Sequence, residues 1–239
     1  MSTKQLAAIL AAVIFTSPAL AEETHGDAAA AREFIKEIQA TKSAHDKVKG
    51  AKFFQELAKG QHPRATVVAC SDSRVHTNML DRTPEGDLFM VRDIGNQIST
   101  AQGSVQYGVN HLASSLLLII GHSKCGAIGA ASGDYSKLEP AIQRELDTIK
   151  ISKGVENIEG VKTNVHNQIS VALGDFGDKV KAGHLLVIGA VYDFANDMKL
   201  GPGKLNIINV NGETDPAKVK VALSGKPTQA MPKENIHSH

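Results

Sequence analysis

The chain has 239 residues, 42% of them hydrophobic and 21% charged, with 26 Lys and Arg set against 25 Asp and Glu. That balance suits a globular protein of one large domain or two small ones. It excludes a broad basic field for nucleic acid and an acidic field for cations, so any partner has to be recognised at a local site.

Residues 1–21, "MSTKQLAAILAAVIFTSPALA", carry one positive charge at Lys4, an apolar stretch from Leu6 to Phe15, Pro18, and small residues at Ala19 and Ala21. This layout predicts a cleavable export signal cut after Ala21. A membrane anchor is the alternative, but the uninterrupted apolar run falls short of the roughly 20 residues that a spanning helix needs. The expected product is exported, in a bacterium to the periplasm, and free of the membrane once the signal is removed.

From Asp27 to about Lys59 apolar residues recur at helix spacing (Phe34, Ile35, Ile38, then "KVKGAKFFQELAKG"), which predicts two helices forming an N-terminal arm, stopped by Gly60. Short β-branched or apolar runs follow at 64–70 ("RATVVAC"), 87–92 ("DLFMVR"), 115–121 ("SLLLIIG"), 184–193 ("HLLVIGAVYD") and 204–210 ("KLNIINV"), and each reads as a strand. Between them "TAQGSVQYGVNHLA" places Val105, Val109 and Leu112 on one helical face, and a long helical stretch runs from about Glu139 to Phe176. Strands alternating with helices predict an α/β fold with a mostly parallel central sheet of about five strands, flanked by helices. The domain plan is a signal at 1–21, one α/β domain at 22–223, and a loose tail at 224–239 with two prolines and few apolar residues.

Two predicted strands end in chemically unusual loops: "TVVACSDSRV" presents Cys70, Asp72 and Arg74, and "LLLIIGHSKCG" presents His122 and Cys125. In a parallel sheet, ligands gather beyond the carboxyl ends of the strands where the order of connections reverses. If the first and third strands are neighbours there, the two loops open into one crevice. Two thiolates and an imidazole suit Zn²⁺ and leave a fourth tetrahedral position open, and the His122 to Cys125 spacing suits ligands sharing the first turn of a helix. In an exported chain the competing reading is a Cys70–Cys125 disulfide. A closed structural zinc site is a further one, with Asp72 as the nearby fourth ligand.

"CSDSR" followed by "GHSKCG" resembles the paired signature of the β-class carbonic anhydrases, zinc enzymes that interconvert CO₂ and bicarbonate, and the similarity runs from about Gln61 to Tyr192. The resemblance implies one zinc per chain held by Cys70, His122 and Cys125, with Asp72 and Arg74 as the accompanying dyad. It also implies a CO₂ pocket walled by Phe89, Ile94 and Tyr107, with the Gly126 backbone nearby and Gln61 reaching in from a neighbouring subunit of a homodimer or homotetramer. Two thiolates cancel the charge of zinc, so its hydroxide needs help, which an Arg74-held Asp72 gives by accepting the hydroxide's proton. A hydrolase of carbonyl sulfide or carbon disulfide would use the same metal and dyad.

Members of that family whose aspartate swings onto the zinc are associated with a noncatalytic bicarbonate site of Trp, Arg and Tyr. Here Arg92 and Tyr192 stand at matching places, but the chain has no tryptophan and Val67 lies where it would be. That predicts an open zinc. Asp93 departs from the family's more usual asparagine. His45, His62, His76, His111, His166 and His184 read as surface or packing residues, His76 alone being close enough in sequence to serve as a proton relay.

Overall fold

The computed structural model describes residues 28–224, so the expected signal at 1–21 and nearly all of the 224–239 tail lie outside the described residues. The chain divides into two units, Met1–Gln55 and Glu56–His239. The first holds most of helix α1 (Ala28–Leu57), which is two helices joined at Gly50, whose φ of 74° leaves the helical region. Phe34, Ile35 and Ile38 share the predicted spacing, yet all three are exposed. No helix among the described residues is long and apolar enough to cross a membrane.

The second unit is built on five strands, β1 (Ala65–Cys70), β2 (Leu88–Asp93), β3 (Leu116–His122), β4 (Leu186–Asp193) and β5 (Lys204–Val210), in the order β2-β1-β3-β4-β5. All neighbours are parallel except β4 and β5. The central runs become strands that bury both faces: every residue of β1 is buried, and so are six of the seven in β3. Alternation sorts them. Val68 of β1 joins Leu117 and Ile119 of β3 and Ile169, Ala172 and Phe176 on one face, while Val67 and Ala69 join Leu118, Ile120 and Val219 on the other.

The connections set the position of the site. From β1 the chain steps outward to β2 and then returns across β1 to β3, so the order reverses between β1 and β3. Cys70 closes β1 opposite Asp93 of β2, and Ala69 pairs with Ile120 of β3, two residues before His122.

Helices differ from expectation in four places. The stretch predicted from Glu139 to Phe176 is two helices, α4 (Pro140–Leu146) and α5 (Asn157–Lys181), separated by a turn in which Gly154 has φ of 70°. The 102–111 helix starts as α2 (Gln102–Gln106) and widens into a π turn over Tyr107–His111. The helix expected to begin with His122 and Cys125 in its first turn starts later, as α3 (Gly126–Ser132), and the short α6 (Pro216–Leu223) has no counterpart in the sequence reading.

Candidate metal centre

His122 is the last residue of β3, and Cys125 is the residue that caps α3, so the two do not share a helical turn as their spacing had implied. A tight turn brings them together, with Lys124 held at φ of 55°, a left-handed conformation that is strained for a lysine. The Lys124 carbonyl accepts a hydrogen bond from Arg74 Nη2 at 3.1 Å, which ties the β3 loop to the β1 loop.

Cys70, His122 and Cys125 are all buried, and their ligand atoms lie within 4.8 Å of one another. Both cysteines are free, which removes the disulfide reading. His122 Nδ1 is spoken for by the Ser123 carbonyl at 3.0 Å, so that nitrogen is the one carrying the proton. The other, Nε2, is buried with no hydrogen-bond partner. Its lone pair therefore faces the two sulfurs unused, and a buried acceptor left so is costly unless something coordinates it.

The sulfurs make the same case. Two thiolates side by side repel unless a cation divides them. In this pair Cys125 donates to Cys70, which drives the Cys70 thiol down to about 4, while the shared proton and burial push Cys125 up. The Gly95 N–H also points at Cys70 Sγ, 3.4 Å away, and favours its anion. Two sulfur donors and one imidazole nitrogen fit Zn²⁺.

Asp72 lies just outside this triangle, its Oδ2 3.8 Å from His122 Nε2. Arg74 grips it in a fork, Nε to Oδ1 at 2.9 Å and Nη2 to Oδ2 at 2.7 Å, with the Arg74 N–H adding 2.9 Å to Oδ1. The Arg74 guanidinium holds this carboxyl far below the usual carboxylate range, so Asp72 is an acceptor near neutral pH. The face of Phe194 lies 4.7 Å from the guanidinium carbon, and the same ring stacks on His122.

The remaining sequence candidates divide. Ile94 and the α3 residues that follow Gly126 pack in the apolar cluster containing both cysteines. Phe89 packs instead against the core beside α2, its ring 5.9 Å from that of Tyr107, which is 47% exposed and stacks on His111. Gln61 is exposed in the segment before β1. Val67 is fully buried, and Arg92 is occupied: it donates to the carbonyls of Cys70 (3.2 and 2.9 Å) and Asp72 (2.9 Å) and so braces the β1 loop. Asp93 accepts from Gln97 N–H and Thr100 Oγ1, and burial raises its carboxyl to about 6. Gly95, Phe194 and Asn157 were not singled out from the sequence. Gly95 sits inside the noted "VRDIGNQ" segment and Phe194 directly follows a strand end, but their contacts with Cys70 and Arg74 depend on chain crossings that no local pattern reports.

A family model described as carbonic anhydrase matches residues 65–199. Carbonic anhydrase 2 of Mycobacterium tuberculosis is 28% identical over 152 residues, covering 57% of this chain and 72% of that protein. A carbonic anhydrase of Emericella nidulans is 34% identical over 120 residues, covering 46% and 53%. Among solved structures, a tetrameric β-carbonic anhydrase of Sordaria macrospora superposes with a TM-score of 0.62 at 23% identity, over 75% of this chain and 98% of that one. The Coccomyxa β-carbonic anhydrase bound to acetazolamide does so with a TM-score of 0.59 at 21% identity, over 82% and 92%. At these identities the structural likeness concerns the fold, whereas the family match spans more than half of the sequence and includes the whole cysteine and histidine constellation. The chain belongs to the carbonic anhydrase family, and its fold is that of the β class.

Proposed function

We propose that this chain catalyses the reversible hydration of CO₂ to bicarbonate and a proton, with one zinc held by Cys70, His122 and Cys125. The observation that carries the reading is the buried His122 Nε2, unpartnered and aimed into the same space as two free sulfurs. Zinc bound by these three residues would supply Lewis acidity, making water nucleophilic near neutral pH.

The chain's own groups do the rest. Asp72 Oδ2 would accept a hydrogen bond from the attacking oxygen, which keeps that oxygen's lone pair turned towards carbon. The Arg74 fork holds the carboxylate beside the three ligand atoms, so that it would not compete with water for a bound ion. Ile94 and the apolar cluster around the cysteines exclude bulk water on the inner side. The outer side is wetter: the Arg74 side chain is half exposed, which gives the released proton a route to solvent or buffer.

Three finer points belong to the same reading. The working unit holds at least two chains, because an exposed Gln61 acts only if a neighbour receives it, and the Sordaria relatives are described as tetrameric. Phe89, Ile94, Tyr107 and the Gly126 backbone complete the CO₂ pocket in that assembly. Residues 1–21 direct export to the periplasm.

Stopped-flow CO₂ hydration with metal analysis on the same samples tests the proposal. Wild-type protein carries close to one zinc per chain and is active. Cys125→Ser loses both zinc and activity. Asp72→Asn keeps zinc and loses on the order of 100-fold in rate, the scale of a lost proton acceptor. Full activity of Asp72→Asn removes the dyad from the mechanism, and an inactive zinc-loaded wild type removes the proposal.

A further inference from the structure

Helix α5 touches the segments that carry His122 and Cys125 and reaches the Cys70 sulfur through Gly95, although it supplies no ligand itself. At its first turn Asn157 clamps the Cys125 residue from both sides, Oδ1 accepting the Cys125 N–H at 3.2 Å and Nδ2 donating to the Cys125 carbonyl at 2.9 Å. One turn on, Val161 presses against the backbone beside His122: a methyl group added at Gly121 would come within 2.7 Å of Val161 Cγ1. At the second turn Asn164 Nδ2 donates to the Gly95 carbonyl at 2.9 Å, and Gly95 is the residue whose N–H points at Cys70 Sγ. Positions 157, 161 and 164 fall on one face, spread over about 10.5 Å of helix.

The polar groups at the second turn are unusual for so dry a place. Gln97 and Asn164 are at most 1% exposed. Gln97 Nε2 donates to the Gly95 carbonyl (2.7 Å) and to Asn164 Oδ1 (2.8 Å), while its Oε1 accepts from Gln168 Nε2 (2.8 Å) and Thr148 Oγ1 (3.2 Å). Burying such groups is costly unless every one is bonded, and an apolar core would hold the helix to the sheet at less cost. Their bonds converge on the Gly95 carbonyl, which two amides grip together, fixing a residue whose φ of 82° and N–H direction are both needed by the Cys70 sulfur.

From this geometry we propose that Asn157 and Asn164 are positioning residues of the metal centre: they set where the Cys125 and Cys70 sulfurs point, and so how tightly and in what geometry the ion is held. The proposal rests on the metal reading above. Partners one bond removed from metal ligands act on affinity about 10- to 100-fold.

The test loads the full-length protein with Co²⁺ as a coloured probe and reads the sulfur-to-cobalt charge-transfer band and the dissociation constant by chelator competition. Asn157→Leu and Asn164→Leu are expected to bind Co²⁺ at least 10-fold more weakly than wild type, with a displaced band. Phe176→Leu, a core change at the far end of α5, is expected to lower the melting temperature and leave band and affinity unchanged. Should a leucine variant fail to fold, Asn157→Asp and Asn164→Asp keep volume and acceptor while putting a carboxylate oxygen, with its charge, where the donor faced the Cys125 or Gly95 carbonyl; weaker binding and a displaced band are expected again. Asparagine variants within twofold of wild type and with an unmoved band overturn the proposal, their role then being stability alone. A wild-type chain that takes up no cobalt defeats the metal reading itself.

Discussion

Asp72 and His122 illustrate how little of this centre is left free to move. The carboxylate has Arg74 on both oxygens, and the imidazole has one nitrogen on the Ser123 carbonyl and a ring face against Phe194. Gly95 is the third fixed point. Its φ of 82° is open to glycine and strained for other residues, and a Cβ there would sit 2.8 Å from Ile149 Cδ1. Gly95→Ala is therefore expected to destabilise the metal-free protein by about 1–3 kcal/mol in urea unfolding. Unchanged stability would mean that the loop relaxes freely and that the Gly95 amide is no fixed donor to Cys70. Cys70, Asp72, Arg74, His122 and Cys125 were all legible in the sequence because their residue types are chemically conspicuous. Asn157, Asn164 and Gln97 were not, since an amide in a helix or loop looks the same whether it faces water or grips a carbonyl 69 residues away, as Asn164 grips that of Gly95.

At the scale of elements, the close approach of α5 to β3 holds the end of the strand that carries His122. It depends on Gly121, where a methyl group would meet Val161 at 2.7 Å and Val165 at 2.8 Å. Gly121→Ala should cost about 1–3 kcal/mol by overpacking. Adding Val165→Ala to it should recover part of that loss, so that a double-mutant cycle gives a coupling above the roughly 0.5 kcal/mol of independent sites; strict additivity would show that the two elements are not in firm contact. The five strands were readable because each is a short apolar run closed by turn residues. The start of α3 was misplaced because "GAIGAASG" offers only Ile128 as a large apolar residue, too little for a helical period to fix its bounds. The 139–176 stretch looked continuous because Ile149, Ile151 and Val155 keep apolar residues coming through the turn, while the single Gly154 marks the break.

Across the whole second unit, the reversal between β1 and β3 brings together residues 55 positions apart, and the Arg74–Lys124 hydrogen bond ties the two loops that carry them. The alternation of strands and helices predicted only the mostly parallel sheet; the convergence was conditional on the first and third strands being neighbours, which they are, and the antiparallel β5 at the sheet's edge was not separately foreseen. The far side of α5 carries a different kind of group. His166 is partly buried between the helix and β5, its Nδ1 3.1 Å from Asn209 Nδ2, and desolvation, with Lys162 nearby, holds its pKa below the ordinary 6.5. The unfolded chain then binds more protons than the fold in the window below 6.5. The His166 contribution to stability is complete above that pH and is lost as pH falls through the depressed folded value. Urea midpoints should fall over this range, and fall less in His166→Asn; identical pH dependence in both proteins would contradict the assignment.

The central claim concerns the donors on one ion, and X-ray absorption at the zinc edge of the loaded wild-type protein reads them directly. Two sulfurs at about 2.3 Å and nitrogen or oxygen neighbours at about 2.0–2.2 Å, four in all, are the expected shell. A shell with fewer than two sulfurs would contradict the account.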